Sequence, residues 1–240
     1  MGVSSFSVSA PFLALEASTT AGSVAVWRDG VLVGHESVGM GAGQDDRLFP
    51  AIQQLLHAAQ LAPRELRAVV CGAGPGSFTS LRIAAALAKG LTHGTGARLF
   101  AVPSLLLAAA SVEIWPDAAG GRDVAIHSDA LRGERYVLPV RVLGDGLVAA
   151  AGPLARLSVG LLAATVPAGR RVGVLGTPCD DETPPVTPQV KHLLRVAGEW
   201  RDQPVSLDSW EPDYGRLAEA QVKWEERFGI PLPDTPAMRT

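Results

Sequence analysis

Residues 71–82 read CGAGPGSFTSLR, and this stretch decides the fold of the chain. It follows a short apolar run and precedes an Ala-rich pattern with helical spacing, so it joins a strand to a helix. Within it, three glycines and a proline in five residues favour a tight turn that few side chains permit. The predicted structural loop consists of Gly72, Gly74, Pro75, Gly76 and Ser77, of which the last can cap the helix.

A glycine-rich loop that opens a helix also suits phosphate, because the first N–H groups of the helix face the anion. The loop lacks the Gly-Lys-[Ser/Thr] sequence of a Walker A motif. Ser77 stands where a dinucleotide fingerprint requires Gly or Ala. On the loop alone, a structural turn and a phosphate site both stay open.

Apolar spacing predicts three strands before the loop, at 12–15, 23–27 and 31–35. The Asp29-Gly30 pair favours a tight hairpin between the last two. A helix opened by Asp45 or Asp46 follows, with apolar residues on one face at Leu48, Ile52, Leu55, Leu56 and Ala59. A strand at 66–71, a helix at 77–91 and a strand at 99–102 complete a β-β-β-α-β-α-β order.

The second half shows a weaker version of the same order. It has predicted strands at 123–128, 135–142, 147–150 and 171–175, and predicted helices at 190–200 and 217–228. Gly, Pro and Asp cluster near 116–122, which predicts a domain boundary there. We therefore expect a flexible leader at 1–10, two lobes at 11–116 and 117–228, and a Pro-rich tail at 229–240.

The loop also carries a resemblance to a known family. The stretch GAGPGSFTSLRIAAALAKGL resembles the signature G-x-G-P-G-S-F-T-G-[LV]-R-I of the TsaB (YeaZ) family. Further similarities lie in the opening strand and turn at 12–27, LFPAI at 48–52, VPSL at 102–105, the hairpin residues at 129–136 and EPDY at 211–214. The resemblance is strong in the first half of the chain and sparse in the second.

The resemblance implies an α/β, actin/hexokinase-like (ASKHA) fold with two lobes of β-β-β-α-β-α type. It implies a non-catalytic subunit of the complex that makes threonylcarbamoyladenosine next to the tRNA anticodon. The implied partners are a catalytic subunit of the TsaD type or a second copy of the chain, together with an ATPase subunit of the TsaE type, and tRNA is reached only through the complex. The rival is an autonomous ATP-dependent phosphotransferase of the same fold, for which the nearest second phosphate loop, at 173–176, is too short.

Residues for catalysis or metal binding are sparse. The five histidines form no H-x-x-x-H or H-E-x-x-H pair, so we expect neither a catalytic site nor a bound metal or cofactor. Glu16, Ser18 and Thr19, at the end of the first strand, are weak cofactor-binding candidates. Glu16 suits either a structural acceptor of turn N–H groups or an acidic group that orients magnesium.

The helix after the loop offers a small, smooth face at Ala84, Ala85 and Ala88, separate from a larger stripe that faces the core. Small residues let helices approach closely. The resemblance implies that this helix and the preceding helix contact the partner, through Leu48, Pro50, Ile52, Ser80, Arg82, Ala84, Ala85 and Ala88. Ser80 replaces the Gly of the signature, and its hydroxymethyl group is expected to loosen or re-register the contact. Gln44 stands where the family usually has His.

The amino-acid composition argues against several other kinds of protein. Charged residues make up 19% of the chain and the net charge is −3, so tight direct binding of nucleic acid is not indicated. Cys71 and Cys179 lie in no C-x-x-C motif and are expected to be reduced thiols. No apolar run reaches the length of a membrane span. These features predict a cytoplasmic protein without a membrane partner.

Overall fold

The computed structural model describes residues 6–40, 47–113, 121–177 and 185–215. Its first sheet has five strands in the order β3-β2-β1-β4-β5. These strands are β1 at Phe12–Glu16, β2 at Ala21–Arg28, β3 at Val31–Gly39, β4 at Ala68–Gly72 and β5 at Arg98–Val102. Strands β1 to β3 are antiparallel neighbours, whereas β4 and β5 run parallel to β1.

The predicted hairpin between β2 and β3 is confirmed. Asp29 and Gly30 have φ angles of 53° and 77°, the left-handed values that a tight turn of this kind uses. Both strands are longer than the sequence predicts, because Ala21 and Gly22 of β2 pair with Gly39 and Val38 of β3 although this part of the hairpin lacks an alternating apolar pattern.

Two helices cover the outer face of the first sheet. They are α1 at Leu48–Ala58 and α2 at Phe78–Thr95. Both bury one stripe against strand residues such as Leu13, Val24 and Val69, which form one hydrophobic cluster with them. The helices are therefore held in place by the sheet, and each keeps a second face towards solvent.

The inner face of the first sheet packs against the second half of the chain. The inward residues of β1, β2, β4 and β5, among them Phe12 and Phe100, join one cluster with helix α3 at Ser104–Ser111 and with later strand residues such as Ile126 and Leu138. Short 3₁₀ helices at Val190–Arg195 and Glu199–Arg201 close this core, and others lie at Pro63–Glu65 and Ala168–Arg170.

Phe6, which lies within the predicted leader at 1–10, packs against the core. Phe6 is buried and lies edge-on to Phe12 and Phe100, with ring centroids 4.8 and 5.3 Å apart. Its backbone N–H donates a 2.8 Å hydrogen bond to the carbonyl of Arg201. A single aromatic residue with no periodic neighbours gave no sign of this docking in the sequence.

The second sheet repeats the strand pattern of the first. Its order is β10-β6-β7-β8, with β9 pairing β7. The strands are β6 at Arg122–Asp129, β7 at Glu134–Val142, β8 at Val148–Ala150, β9 at Ala155–Ser158 and β10 at Arg171–Gly173. As β1 pairs antiparallel with β2 and parallel with β4, so β6 pairs antiparallel with β7 and parallel with β10. On its outer face lies helix α4 at Val159–Thr165.

Several predicted elements differ from those observed. The predicted helix at 190–200 is two 3₁₀ segments, while α3, α4 and β9 were not predicted. The predicted helix at 217–228, the candidate helix-opening residues Asp45 and Asp46, Gln44, and Cys179 lie outside the described residues. The two-lobe boundaries stay a prediction. Within the described part of the chain, no helix has the length and apolar character that crossing a membrane requires.

The docking of Phe6 leads to a stability prediction. Phe6→Ala should lower the free energy of unfolding by about 3 kcal/mol, because it leaves a cavity among aromatic rings. The measurement is urea unfolding followed by circular dichroism. The matched control is Phe49→Ala, since Phe49 on α1 is 47% exposed and its loss should change stability by less than about 0.5 kcal/mol. Equal effects of the two changes would contradict the docking.

Candidate functional site

The glycine-rich loop connects β4 to α2 and is held on several sides. A Cβ atom at Gly72 would lie 1.7 Å from a carboxylate oxygen of Glu16, so only glycine fits there. Gly74 has a φ of 84°, and a Cβ atom on it would lie 2.2 Å from the carbonyl oxygen of Asp213. After the cis bond to Pro75, the N–H of Ser77 donates a 2.8 Å hydrogen bond to the carbonyl of Ser18. The loop therefore packs against both the β1–β2 turn and the C-terminal part of the described chain.

Glu16 is the buried centre of this arrangement. One carboxylate oxygen accepts the N–H of Ser18 at 2.5 Å, and the other accepts the hydroxyl of Ser104 at 2.8 Å. The Ser104 oxygen in turn accepts the N–H of Gly74 at 2.9 Å. Burial raises the pKa of Glu16 above 4.5, and the hydrogen bonds from Ser18 and Ser104 oppose that shift. The carboxylate thus joins β1, the glycine-rich loop and α3.

A cleft of about 340 Å³ opens beside the loop, between the two sheets. Half of its lining residues carry a hydroxyl group, although more of the lining surface is apolar; the lining comprises Ser18, Thr19, Thr20, Pro75, Gly76, Ser77, Ser128, Asp129, Leu131, Tyr136, Val174, Leu175, Gly176 and Thr177. Of the weak cofactor candidates, Ser18 and Thr19 reach the cleft, whereas Glu16 is fully buried and is not among the lining residues. This position suits the structural acceptor of turn N–H groups, which is one of the two roles that the sequence leaves open for Glu16.

Asp129 is the charged residue that lines the cleft in the described part of the chain, and it is already engaged with the protein. It accepts a 2.9 Å hydrogen bond from Arg135 and a 3.1 Å bond from the N–H of Leu131. No lysine or arginine lines the cleft in the part of the chain that the structure describes, and no cluster of three metal-ligating side chains occurs there.

The predicted partner surface is mostly inside the chain. Six of its eight residues are buried: Leu48, Ile52, Ser80, Ala84, Ala85 and Ala88. Pro50 and Arg82 are exposed. The small face of α2 was assigned to a partner, but it is the face that packs on the chain's own sheet, because small side chains also let a helix lie close to strands.

The exposed face of α2 is a different stripe. Thr79, Arg82, Ala86, Gly90 and His93 follow one another every three or four residues and are all exposed. Half-buried Ile83 and Leu87 flank this stripe. On α1, the outer face carries Phe49, Pro50, Gln53, Gln54 and His57, which are also exposed.

The segment 205–215 packs along α2 and the glycine-rich loop. The sequence did not predict this contact. Its Val205 N–H bonds to the carbonyl of Leu99, and its Asp213 N–H bonds to the carbonyl of Ala73, both at 2.8 Å. Lys89 of α2 forms a 2.9 Å ion pair with Glu211.

The aromatic end of the same segment lies on the start of α2. The ring of Tyr214 is 4.7 Å from that of Phe78, and burial together with the Glu211 hydrogen bond raises the pKa of Tyr214 to about 12. The EPDY residues at 211–214 were the available signal for this packing.

The geometry can be compared with known proteins. A family model for TsaD, tRNA N6-adenosine threonylcarbamoyltransferase, matches residues 44–172, which is more than half of the chain. The TsaB threonylcarbamoyladenosine biosynthesis protein of Escherichia coli K12 is 32% identical over 124 residues, and the alignment covers 52% of each protein. The chain thus spans about half the length of this relative. TsaB of Bacillus subtilis is 28% identical over 235 residues, which cover 89% of this chain and 97% of that protein.

A solved structure decides the assignment. YeaZ from Pseudomonas aeruginosa superposes with a TM-score of 0.69 at 28% identity, over 85% of this chain and 99% of that one. The chain belongs to the TsaB/YeaZ family. The family that the signature loop predicted is therefore confirmed, as is the α/β fold, which this chain shares with YeaZ.

The buried carboxylate of Glu16 leads to a pH prediction. Because its folded-state pKa is raised, the folded protein holds this proton more tightly than the unfolded chain. The wild type should therefore lose stability relative to Glu16→Gln as the pH rises from about 4.5 through the raised pKa. Urea unfolding of both proteins between pH 4 and 8 measures this difference, from which the titration of other carboxylates cancels.

The prediction fails if the difference in the free energy of unfolding between the wild type and Glu16→Gln stays constant with pH or grows in favour of the wild type. Either result would show that the Glu16 pKa is not raised. Asp129→Asn is the control, because Asp129 is a half-exposed carboxylate of the same region whose pairing with Arg135 lies outside the buried network.

Proposed function

We propose that this chain is a non-catalytic, scaffolding subunit of the complex that installs the threonylcarbamoyl group on N6 of the adenosine next to the tRNA anticodon. The TsaB relatives carry threonylcarbamoyladenosine biosynthesis in their names, and the matching family model is that of the threonylcarbamoyltransferase TsaD. The chain acts by holding the catalytic subunit in its active arrangement.

The state of Glu16 carries the non-catalytic part of the proposal. A carboxylate that orients magnesium and nucleotide must reach the cleft, but both oxygens of Glu16 accept hydrogen bonds from the protein and its side chain is fully buried. To release it, the Ser18 and Ser104 donors would have to be left without an acceptor in the interior, which costs free energy at each group. Glu16 therefore stabilises the fold.

The outer faces of α1 and α2 support the scaffolding part. The α2 stripe has Ala86 and Gly90 at its centre, so a partner helix can approach the backbone closely. The exposed ring of Phe49 on α1 offers apolar area to the same partner. We assign the contact with a TsaD-type subunit to this surface, in place of the buried alanines.

The same proposal includes two further associations. An ATPase subunit of the TsaE type joins the assembly formed with the catalytic subunit. In the absence of the catalytic subunit, a second copy of the chain occupies the α1–α2 surface, because the two partners compete for the same exposed apolar residues.

Two substitutions on α2 test this surface. Ala86→Arg should leave the chain folded and abolish its association with the TsaD-type subunit, because a long cation must be desolvated in a close helix contact. Ala88→Arg should instead unfold the chain, since Ala88 is fully buried against the sheet. Circular dichroism and gel filtration with the catalytic subunit distinguish the two outcomes.

The control is Ala163→Arg on α4, which makes the same change at an exposed helical position of the second sheet. It should fold and bind as the wild type does. The surface assignment fails if Ala86→Arg folds and still binds. The non-catalytic role fails if the purified chain hydrolyses ATP and Glu16→Ala, in a protein that stays folded, abolishes the turnover.

A further inference from the structure

Most sheet edges of this protein are covered by the chain itself. At the edge of β5, the N–H of Val205 donates a 2.8 Å hydrogen bond to the carbonyl of Leu99. In the second sheet, the N–H groups of Val186 and Ala197 donate to carbonyls of β10 and β8, each at 2.8 Å. An uncovered edge presents N–H and C=O groups that can pair with another chain, so these contacts protect the two sheets.

Among the described residues, β3 and β9 are the edges without such a cover. Strand β9 has four residues and carries Arg156, which pairs with Glu134 at 3.2 Å, and a short charged edge is a poor template for pairing. Strand β3 has nine residues, and residues 30–35 include no Lys, Arg, Asp, Glu or Pro. Its one protective irregularity is a bulge at Val33, which adds no charge to the edge.

The uncovered strand is also apolar. Val31, Leu32 and Val33 are 62%, 37% and 43% exposed, although all three are large hydrophobic residues. Because successive side chains of a strand point to opposite faces, both faces of β3 present apolar area to solvent here. Clustered exposed apolar residues mark an interaction surface, whereas single ones do not. We call residues 31–36 the β3 edge.

We infer that the β3 edge is a self-association site, at which two copies of this chain pair their β3 strands in antiparallel orientation. The free backbone groups of an edge are satisfied by an extended strand that has a free edge of its own. In the described part of the chain, β3 is the long uncharged strand of that kind, and a second copy supplies it through a two-fold axis. The first sheets of the two copies then form one continuous sheet.

The charges of β3 agree with such a pairing. With the two-fold axis between Gly34 and His35, just past the bulge, Glu36 of one copy lies opposite Val33 of the other. The two Glu36 carboxylates therefore do not face each other, and no like-charge pair opposes the contact. Ser37, the next residue, donates a 2.9 Å hydrogen bond to the side chain of Gln189 and so remains attached to its own chain.

This contact is separate from the α1–α2 surface. The backbone groups of an edge strand point sideways within the plane of the sheet, whereas α1 and α2 lie on the outer face. Helix α2 packs on β1, β4 and β5, away from β3. A second copy at the β3 edge therefore leaves the outer stripe of α2 accessible, and the inference does not depend on the proposed function.

Sedimentation velocity of the full chain between about 1 and 500 µM tests this inference, a range that suits a small interface. The background protein carries Ala86→Arg, which removes self-association through the α1–α2 surface, and it should still form a dimer. Adding Val33→Glu should raise the dissociation constant of that dimer about tenfold or more, because the new carboxylate must be desolvated opposite Glu36 of the other copy.

Matched variants separate the edge from other effects. Val33→Lys places a cation opposite Glu36 and should weaken the dimer less than Val33→Glu does. Leu161→Glu on α4 makes a comparable change at a 48% exposed residue of the second sheet and should leave the dimer unchanged. Val31→Glu, at the most exposed residue of the trio, is a second edge variant, and circular dichroism checks that each protein is folded.

Hydrogen exchange reports the strand pairing without any substitution in β3. In the Ala86→Arg protein, the N–H groups of residues 31–36 should exchange more slowly at high than at low protein concentration, because pairing removes them from water. This measurement decides the question even if the glutamate variants do not fold.

The inference is overturned if the Ala86→Arg protein stays monomeric at the highest concentration, or if folded Val33→Glu and Val31→Glu leave its dimer unchanged. A dimer without added protection at residues 31–36 also overturns it, because the contact would then lie elsewhere. Protection that arises only when the catalytic subunit is added would assign the edge to that subunit and equally overturn it. Failure of the proposed surface gives a different result, since Ala86→Arg would then still bind the catalytic subunit.

Discussion

The hydrogen bonds of the buried Glu16 carboxylate fix the relation between the parts of this molecule. A carboxylate in the interior is tolerable only when donors surround it, and here the donors come from the turn after β1 and from the start of α3. Ser104 relays the contact to the glycine-rich loop by accepting the N–H of Gly74. Because α2 begins directly after that loop, its position over the sheet follows from the same network.

The two sheets repeat one strand pattern but differ in what covers them. The first sheet carries α1 and α2 on its outer face, and both helices present a solvent-facing side. On the second sheet, the small cluster of Ala125, Val137 and Leu162 packs under the short α4. The larger helical surface therefore belongs to the first sheet, which also carries the signature loop and the Glu16 network.

The sequence predicted most of the first lobe because its strands are continuous apolar runs and its turns contain glycine. It predicted the site less well. Ala84 and Ala88 form a small helical face whether they approach a partner helix or a sheet, so periodicity does not tell which. Helix α3 was missed because all of its residues, from Ser104 to Ser111, are buried, and a helix buried on every side has no polar face to mark its period.

The segment at 190–200 shows a related ambiguity. Its apolar residues at Val190, Leu193 and Val196 recur every three positions, which suits a 3₁₀ helix as well as one face of an α-helix. The N–H of Val190 bonds to the hydroxyl of Ser23. Ser23 lies 167 residues before Val190, so no local sequence pattern could indicate this hydrogen bond.

The structure changes the interpretation of Ser80, which replaces the glycine of the signature. Its side chain is 3% exposed, and its hydroxyl lies 3.1 Å from that of Ser77, so each can satisfy the other inside the first turn of α2. A serine in place of the signature glycine is thus accommodated within the chain and does not reach the outer stripe centred on Ala86. Because one face of α2 is packed on the sheet and the opposite face is exposed among the described residues, a change on the buried face alters partner binding only by altering how the helix sits on the strands.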